Sequence, residues 1–210
     1  MYSSLNLDII KNIPDFLESD NMQNYYYQLT DIVSFENSTV YAVSFKQKET
    51  IKVPLFKGTL YINTKNFALI GAEFEYNMKY YTRNNLNFVA KKSRKFKITP
   101  NSAKYFVSYK KINKKYIFNY IRADLVFKVR KKNNLFTSKY ETSFEAVGLN
   151  CKTDNIQRFN KKETLKHNSI FIDNNYEYDT DFWGKYNTIY PEKGIIQALK
   201  NIHLKINLIK

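Results

Sequence analysis

Alternation constrains this chain more than any other feature. From residue 116 to 129, Ile117, Ile121, Ala123, Leu125, Phe127 and Val129 share one parity, while Arg122, Asp124 and Lys128 fall on the other. Successive side chains of a strand point to opposite faces, so a period of two predicts a strand with one buried and one wet face. Ala103, Tyr105, Val107 and Tyr109 alternate in the same way with Lys104, Ser108 and Lys110. Ala68, Ile70, Ala72, Phe74 and Tyr76 alternate with Glu73 and Glu75. Further strands are expected over 25–33, 39–45, 53–62, 67–76 and 135–147, with a weaker one over 165–172. The breaks between them are short and carry turn residues: Glu36-Asn37-Ser38, Asn63 to Asn66, Asn113, and Asn133-Asn134.

Two stretches depart from this period. Residues 77–89 (NMKYYTRNNLNFV) space Tyr80, Tyr81, Leu86 and Val89 loosely as a short helix or lid. Residues 194–202 follow Pro191-Glu192-Lys193 and place Ile195, Leu199 and Ile202 on one helical face. No Pro/Gly/Ser linker or internal repeat divides the chain. The expected organisation is a lead-in over 1–20, one curved antiparallel β domain over 21–190, and a C-terminal helix and tail over 191–210. The expected fold class is mainly β: a curved antiparallel meander, half-barrel or open barrel, with a few short helices covering its concave side. Uneven strand lengths and helix-like interruptions speak against a transmembrane barrel.

Composition bounds the function. At 43% apolar and 17% aromatic residues over 210 positions, the chain can build a core and is not a disordered polyelectrolyte. Its formal charge is +15, from 34 basic and 19 acidic residues. Such a balance invites polyanion binding, but only Arg83, Arg94, Arg122, Arg130 and Arg158 are arginines, the residue that forks onto phosphate and guanine. The cations form three runs: Lys91, Lys92, Arg94, Lys95 and Lys97; Lys110, Lys111, Lys114 and Lys115; and Lys128, Arg130, Lys131 and Lys132. Runs at turns read first as solvated rims that blunt sheet edges, and second as contacts to an anionic surface. The start, MYSSLNLDIIKNIPDFLES, lacks the uninterrupted apolar run of a secretory signal, so the chain as written is expected in the cytoplasm, or else as a fragment whose address lay upstream.

No residue pattern announces catalysis, and no enzyme, cofactor or metal is expected. Cys151 is the single cysteine, which rules out a disulfide framework or a cysteine-rich metal site. His167 and His203 lack ligand-spaced neighbours and read as surface residues. Asp179 and Asp181 flank Thr180 and could do acid–base work. They run straight into Phe182-Trp183-Gly184 and Tyr186, so Asp181, Phe182, Trp183 and Tyr186 read instead as a structural anchor that caps a turn and pins the tail.

Three segments together carry a family resemblance. They are the hairpin FKGTLYINTKNFALIGAEF (56–74), the basic stretch 91–98 with the strand after it, and YDTDFWGKYN (178–187) followed by Pro191-Glu192 and the closing helix. From about Asp15 to Ile202, the chain resembles the C-terminal region of carboxypeptidase-like regulatory domain-containing proteins of the Bacteroidetes cell envelope. The hairpin also has the general form of periplasmic lipoprotein-carrier folds. The resemblance implies an exported, half-barrel-like domain in the periplasm or at the outer membrane. It implies no peptidase activity, and the family's upstream β-sandwich and signal peptide do not appear in this chain. Asn63 stands where the family usually has Asp. The expected function is therefore a non-enzymatic envelope domain that binds an apolar or lipid ligand, or an outer-membrane protein partner, in its concave sheet. Lys91, Lys92, Arg94, Lys95 and Lys97 are its expected contacts to anionic headgroups. The alternative is a cytoplasmic protein that binds nucleic acid through its lysine clusters.

Overall fold

The computed structural model describes residues 6–82, 88–89, 94–149, 151, 154–160 and 164. Within them lie seven strands: β1 (Tyr25–Phe35), β2 (Ser38–Gln47), β3 (Phe56–Asn63), β4 (Leu69–Tyr76), β5 (Phe96–Ile112), β6 (Lys115–Lys131) and β7 (Ser138–Val147). They form one open sheet in sequence order, each strand antiparallel to the one before. The mainly β antiparallel meander is therefore what the chain forms. Helix among the described residues is limited to 3-10 turns at Asp15–Leu17, Met22–Asn24 and Met78–Tyr80. Of the helix or lid expected over 77–89, Met78–Tyr80 is the described part; residues 83–87 lie outside. So do residues 165–210, with the strand expected over 165–172, the anchor Asp181, Phe182, Trp183 and Tyr186, and the closing helix.

Local chemistry explains the tight connections. Glu36 and Asn37 have φ of 47° and 58°, and Asn113 and Lys114 have 47° and 69°. Positive φ at both central residues is the twist that two-residue hairpins need. Asn63 ends β3 as a turn cap: its Oδ1 accepts the Lys65 N–H at 2.9 Å and the Asn66 N–H at 3.3 Å. Asn at this position therefore performs a turn role that needs no carboxylate. Gly58 is a packing requirement, because a Cβ there would lie 2.0 Å from the Glu73 carbonyl oxygen on β4.

One face of the sheet holds the main core. Phe45, Leu60, Ala72, Phe74, Val107, Tyr109 and Ile121 meet there, each nearly excluded from solvent. Two register irregularities shift residues off the faces that simple alternation predicts. The pairing Ser108↔Tyr120 is followed by Tyr109↔Phe118, so Asn119 is the extra residue. Tyr116 and Phe118, rather than Ile117, consequently pack against the core. Beside Ile70, the pairing steps from Tyr61↔Gly71 to Ile62↔Leu69 and brings Leu69 to the core.

The lead-in completes this core. Phe16 is fully buried; its ring stacks on Phe45 at 4.4 Å and meets Phe74 at 5.2 Å and Phe56 at 5.5 Å. Two hydroxyls secure the segment: Tyr27 donates to the Phe16 carbonyl at 2.7 Å, and Tyr109 donates to Asp8 Oδ1 at 2.9 Å. Residues 6–24 thus fill the apolar side of the sheet, whereas helical cover was expected over the concave side.

Candidate functional site

The open concavity lies on the other face. It is a trough of about 750 Å³, floored by two rows of side chains that cross the sheet. One row runs Tyr26, Lys46, Lys57, Glu75, Lys104, Asp124; the next runs Gln28, Ser44, Thr59, Glu73, Phe106. These are the wet-face residues of the alternation, brought over a hollow by the curl of the sheet.

An aromatic wall adjoins the trough. Phe35 of β1 stacks on Tyr61 of β3 at 4.4 Å and lies 6.1 Å from Phe106 of β5, which is 5.8 Å from Tyr120. Phe35 reaches as far as β4, where a Cβ on Gly71 would lie 2.5 Å from its ring. Strands stand about 4.8 Å apart, so β1 and β4 in a flat sheet would be about 14 Å apart. The contact therefore records how strongly the sheet curls at this point.

Lys46, Lys57 and Lys104 face Glu73, Glu75 and Asp124, so the lining is charge-balanced. Lys57 pairs with Glu75 at 2.9 Å, and Lys104 approaches the other oxygen of Glu75 at 3.9 Å. Arg122 holds Asp124 at 2.8 Å and Glu145 at 3.1 Å. Its hydrogen bond to Asp124, together with one from Ser143, lowers the Asp124 carboxyl below its ordinary range. Burial, reinforced by Glu73, pushes the Tyr61 hydroxyl up. Lys46 makes no ion pair among the described residues and is the cation left for a ligand.

The basic runs separate into two ends of the long β5–β6 ribbon. Lys97 sits opposite Arg130, Phe96 opposite Lys131, and the Lys132 N–H donates to the Lys95 carbonyl at 2.8 Å. The described part of the first run (Arg94, Lys95, Lys97) and the third run therefore share one end. Lys110, Lys111, Lys114 and Lys115 sit at the other, about 45 Å away at 3.3 Å per residue. Lys91 and Lys92 lie outside the described residues.

At the first end, Lys128 also sits opposite Lys139 of β7. Leu135 and Phe136, expected at the start of a strand that pairs back, belong instead to the connection between β6 and β7 and are 92% and 83% exposed. Sequence alternation marked every cation here. It could not mark the trough, which is made by curvature, nor the exposure of two residues that look like core.

Cys151 is free and exposed. Among the described residues, no group of His, Cys, Asp and Glu could hold a metal ion, and no helix is long and apolar enough to cross a membrane. Compared with known proteins, the chain matches no family model, no curated protein and no solved structure.

Proposed function

We propose that this is a non-enzymatic cell-envelope domain that binds a lipid in the trough. The trough itself carries this reading: an open hollow of about 750 Å³ in which paired charges lie beside an aromatic wall. Ligand sites typically combine such a volume with apolar walls and a few placed polar groups. Three cations against three carboxylates suit a zwitterionic headgroup better than a simple anion or cation. A phosphate can take Lys46 while an ammonium meets Glu73 or Glu75, with the glycerol and first acyl carbons against Phe106 and Phe35. The apolar face is already occupied by Phe16, so the ligand enters from the wet side. The resemblance to envelope proteins supports a place in the periplasm or at the outer membrane.

The test is titration of the full chain with dihexanoyl phosphatidylethanolamine below its micelle concentration, followed by calorimetry. Saturable binding is expected, with loss in Thr59→Trp, which fills the floor from a wet-face position. A fold retained by circular dichroism with no binding in either protein would end the proposal.

A second reading rests on the two cationic runs that meet at one end of the ribbon: a cytoplasmic protein that binds nucleic acid. It requires affinity for duplex or single strands that falls steeply with salt. Binding weaker than millimolar, without a slope against log salt, removes it.

A further inference from the structure

Two rungs of the sheet set like charges directly opposite one another. Lys97 faces Arg130 across β5 and β6, and Lys128 faces Lys139 across β6 and β7. Lys128 and Arg130 are two apart on one strand, so all four cations project from one face. Directly opposed like charges destabilise a sheet. Of the four, Lys139 has a carboxylate neighbour, Glu141 of its own strand. Lys97, Lys128 and Arg130 make no ion pair among the described residues. The sheet gains nothing from this arrangement on its own, whereas an anionic partner would relieve it.

The adjoining connection has the complementary oddity. Leu135 and Phe136 are almost wholly exposed, whereas Tyr140 and Phe96, at 58% and 43%, belong to the opposite face of the ribbon from the four cations. Lys131 and Lys132 lead into the same connection. Exposed apolar side chains in the connection that follows a cluster of cations suit a bilayer surface, which offers phosphates to the cations and acyl chains to the apolar tips. A nucleic-acid duplex would meet the cations but leave Leu135 and Phe136 in water.

We infer that this end of the β5–β6–β7 ribbon is a docking surface for an anionic bilayer, with Leu135 and Phe136 inserted below the phosphates and Lys97, Lys128, Arg130 and Lys139 on the headgroups. This surface is separate from the trough, and either can fail without the other.

The experiment is cosedimentation of the full chain with large vesicles of phosphatidylcholine containing 30% phosphatidylglycerol, against pure phosphatidylcholine, over a range of salt. The expected result is binding to the anionic vesicles only, weakening as salt rises. Lys128→Ser with Arg130→Ser is expected to weaken binding about thirtyfold, from about a fivefold factor per cation. Leu135→Ser with Phe136→Ser is expected to weaken it at least about tenfold while leaving the salt slope unchanged, because insertion is not electrostatic. Phe136→Trp supplies a readout that does not depend on a loss: its added emission should shift to the blue and be quenched by acyl-brominated lipid. Equal binding to neutral vesicles, an unquenched Trp at 136, or binding to duplex DNA with none to vesicles would each overturn the inference.

Discussion

The two faces of this sheet are built by the same strands and filled in opposite ways. On the core face, Phe45, Phe74 and Tyr109 are sealed by residues 6–24, with the Phe16 ring seated among four others. On the wet face, the residues one position along each strand (Lys46, Glu75, Ser108) either line a trough or pack beside its wall. Alternation made both faces, but it did not decide which would be open. That was decided by a lead-in whose regular structure is two 3-10 turns, the first of which carries Phe16. A face is closed by what lies on it as much as by its own composition.

That contrast can be broken most severely at Phe16. Phe16→Ala should cost about 3–5 kcal/mol and should expose the ring cluster to an apolar dye. A urea midpoint within error of wild type would show that the lead-in merely rests on the sheet. Next in size is Gly58→Ala, whose methyl meets backbone on β4 rather than a movable side chain. A loss of about 2–3 kcal/mol is expected from the forced separation of β3 and β4, and it should spoil the trough as well as the core. Unchanged ligand binding in a destabilised Gly58→Ala would mean that the two faces are less tied than the curl implies.

Smaller changes separate the two tyrosines on the dry side. Tyr109→Phe removes the donor to Asp8 and should cost about 1–2 kcal/mol in chemical denaturation. Tyr25→Phe should cost less, because the buried Tyr25 hydroxyl faces Asp15 without a well-formed hydrogen bond. If the two substitutions behave alike, the Asp8 contact is not what secures the lead-in.

The smallest effect concerns Asp15, whose carboxyl is raised above 3.8 by burial. A raised folded value means that the folded state favours the protonated form. Asp15 therefore contributes its full share of stability below pH 3.8 and loses it as the pH rises through the raised value. Asp15→Asn should remove that dependence and, at neutral pH, raise stability by less than about 1 kcal/mol, since solvent screens a partly exposed carboxylate. A lower midpoint at pH 7 for Asp15→Asn would reverse this sign.

Most of the framework was legible before any coordinates. The strands, their order, and the turns at Glu36-Asn37, Asn113 and Asn133-Asn134 follow from a period of two and from residues that tolerate positive φ. What escaped has identifiable causes. Asn119 and Ile70 mark register shifts, and an extra residue leaves no trace in hydrophobicity until its partners are known. Phe16 sits in a segment without periodicity, so nothing singled it out from Phe67, which is 72% exposed. Lys97 and Arg130 are 33 positions apart, and only the pairing of two seventeen-residue strands makes them opposite neighbours. Leu135 and Phe136 looked like strand residues because apolar character alone does not say which side of a turn a side chain leaves from.

The lead-in also sets a timetable. Asp8 leaves the ribosome ahead of Tyr109, which holds it and follows 101 positions later. At about 5–20 residues per second, that is a delay of about 5–20 s during which Asp8 has no Tyr109 hydroxyl to hold it. The meander can assemble hairpin by hairpin as it emerges, but the Phe16 ring must wait for β2, β3 and β4. A chaperone that guards exposed aromatics during synthesis would therefore find its substrate around Phe16.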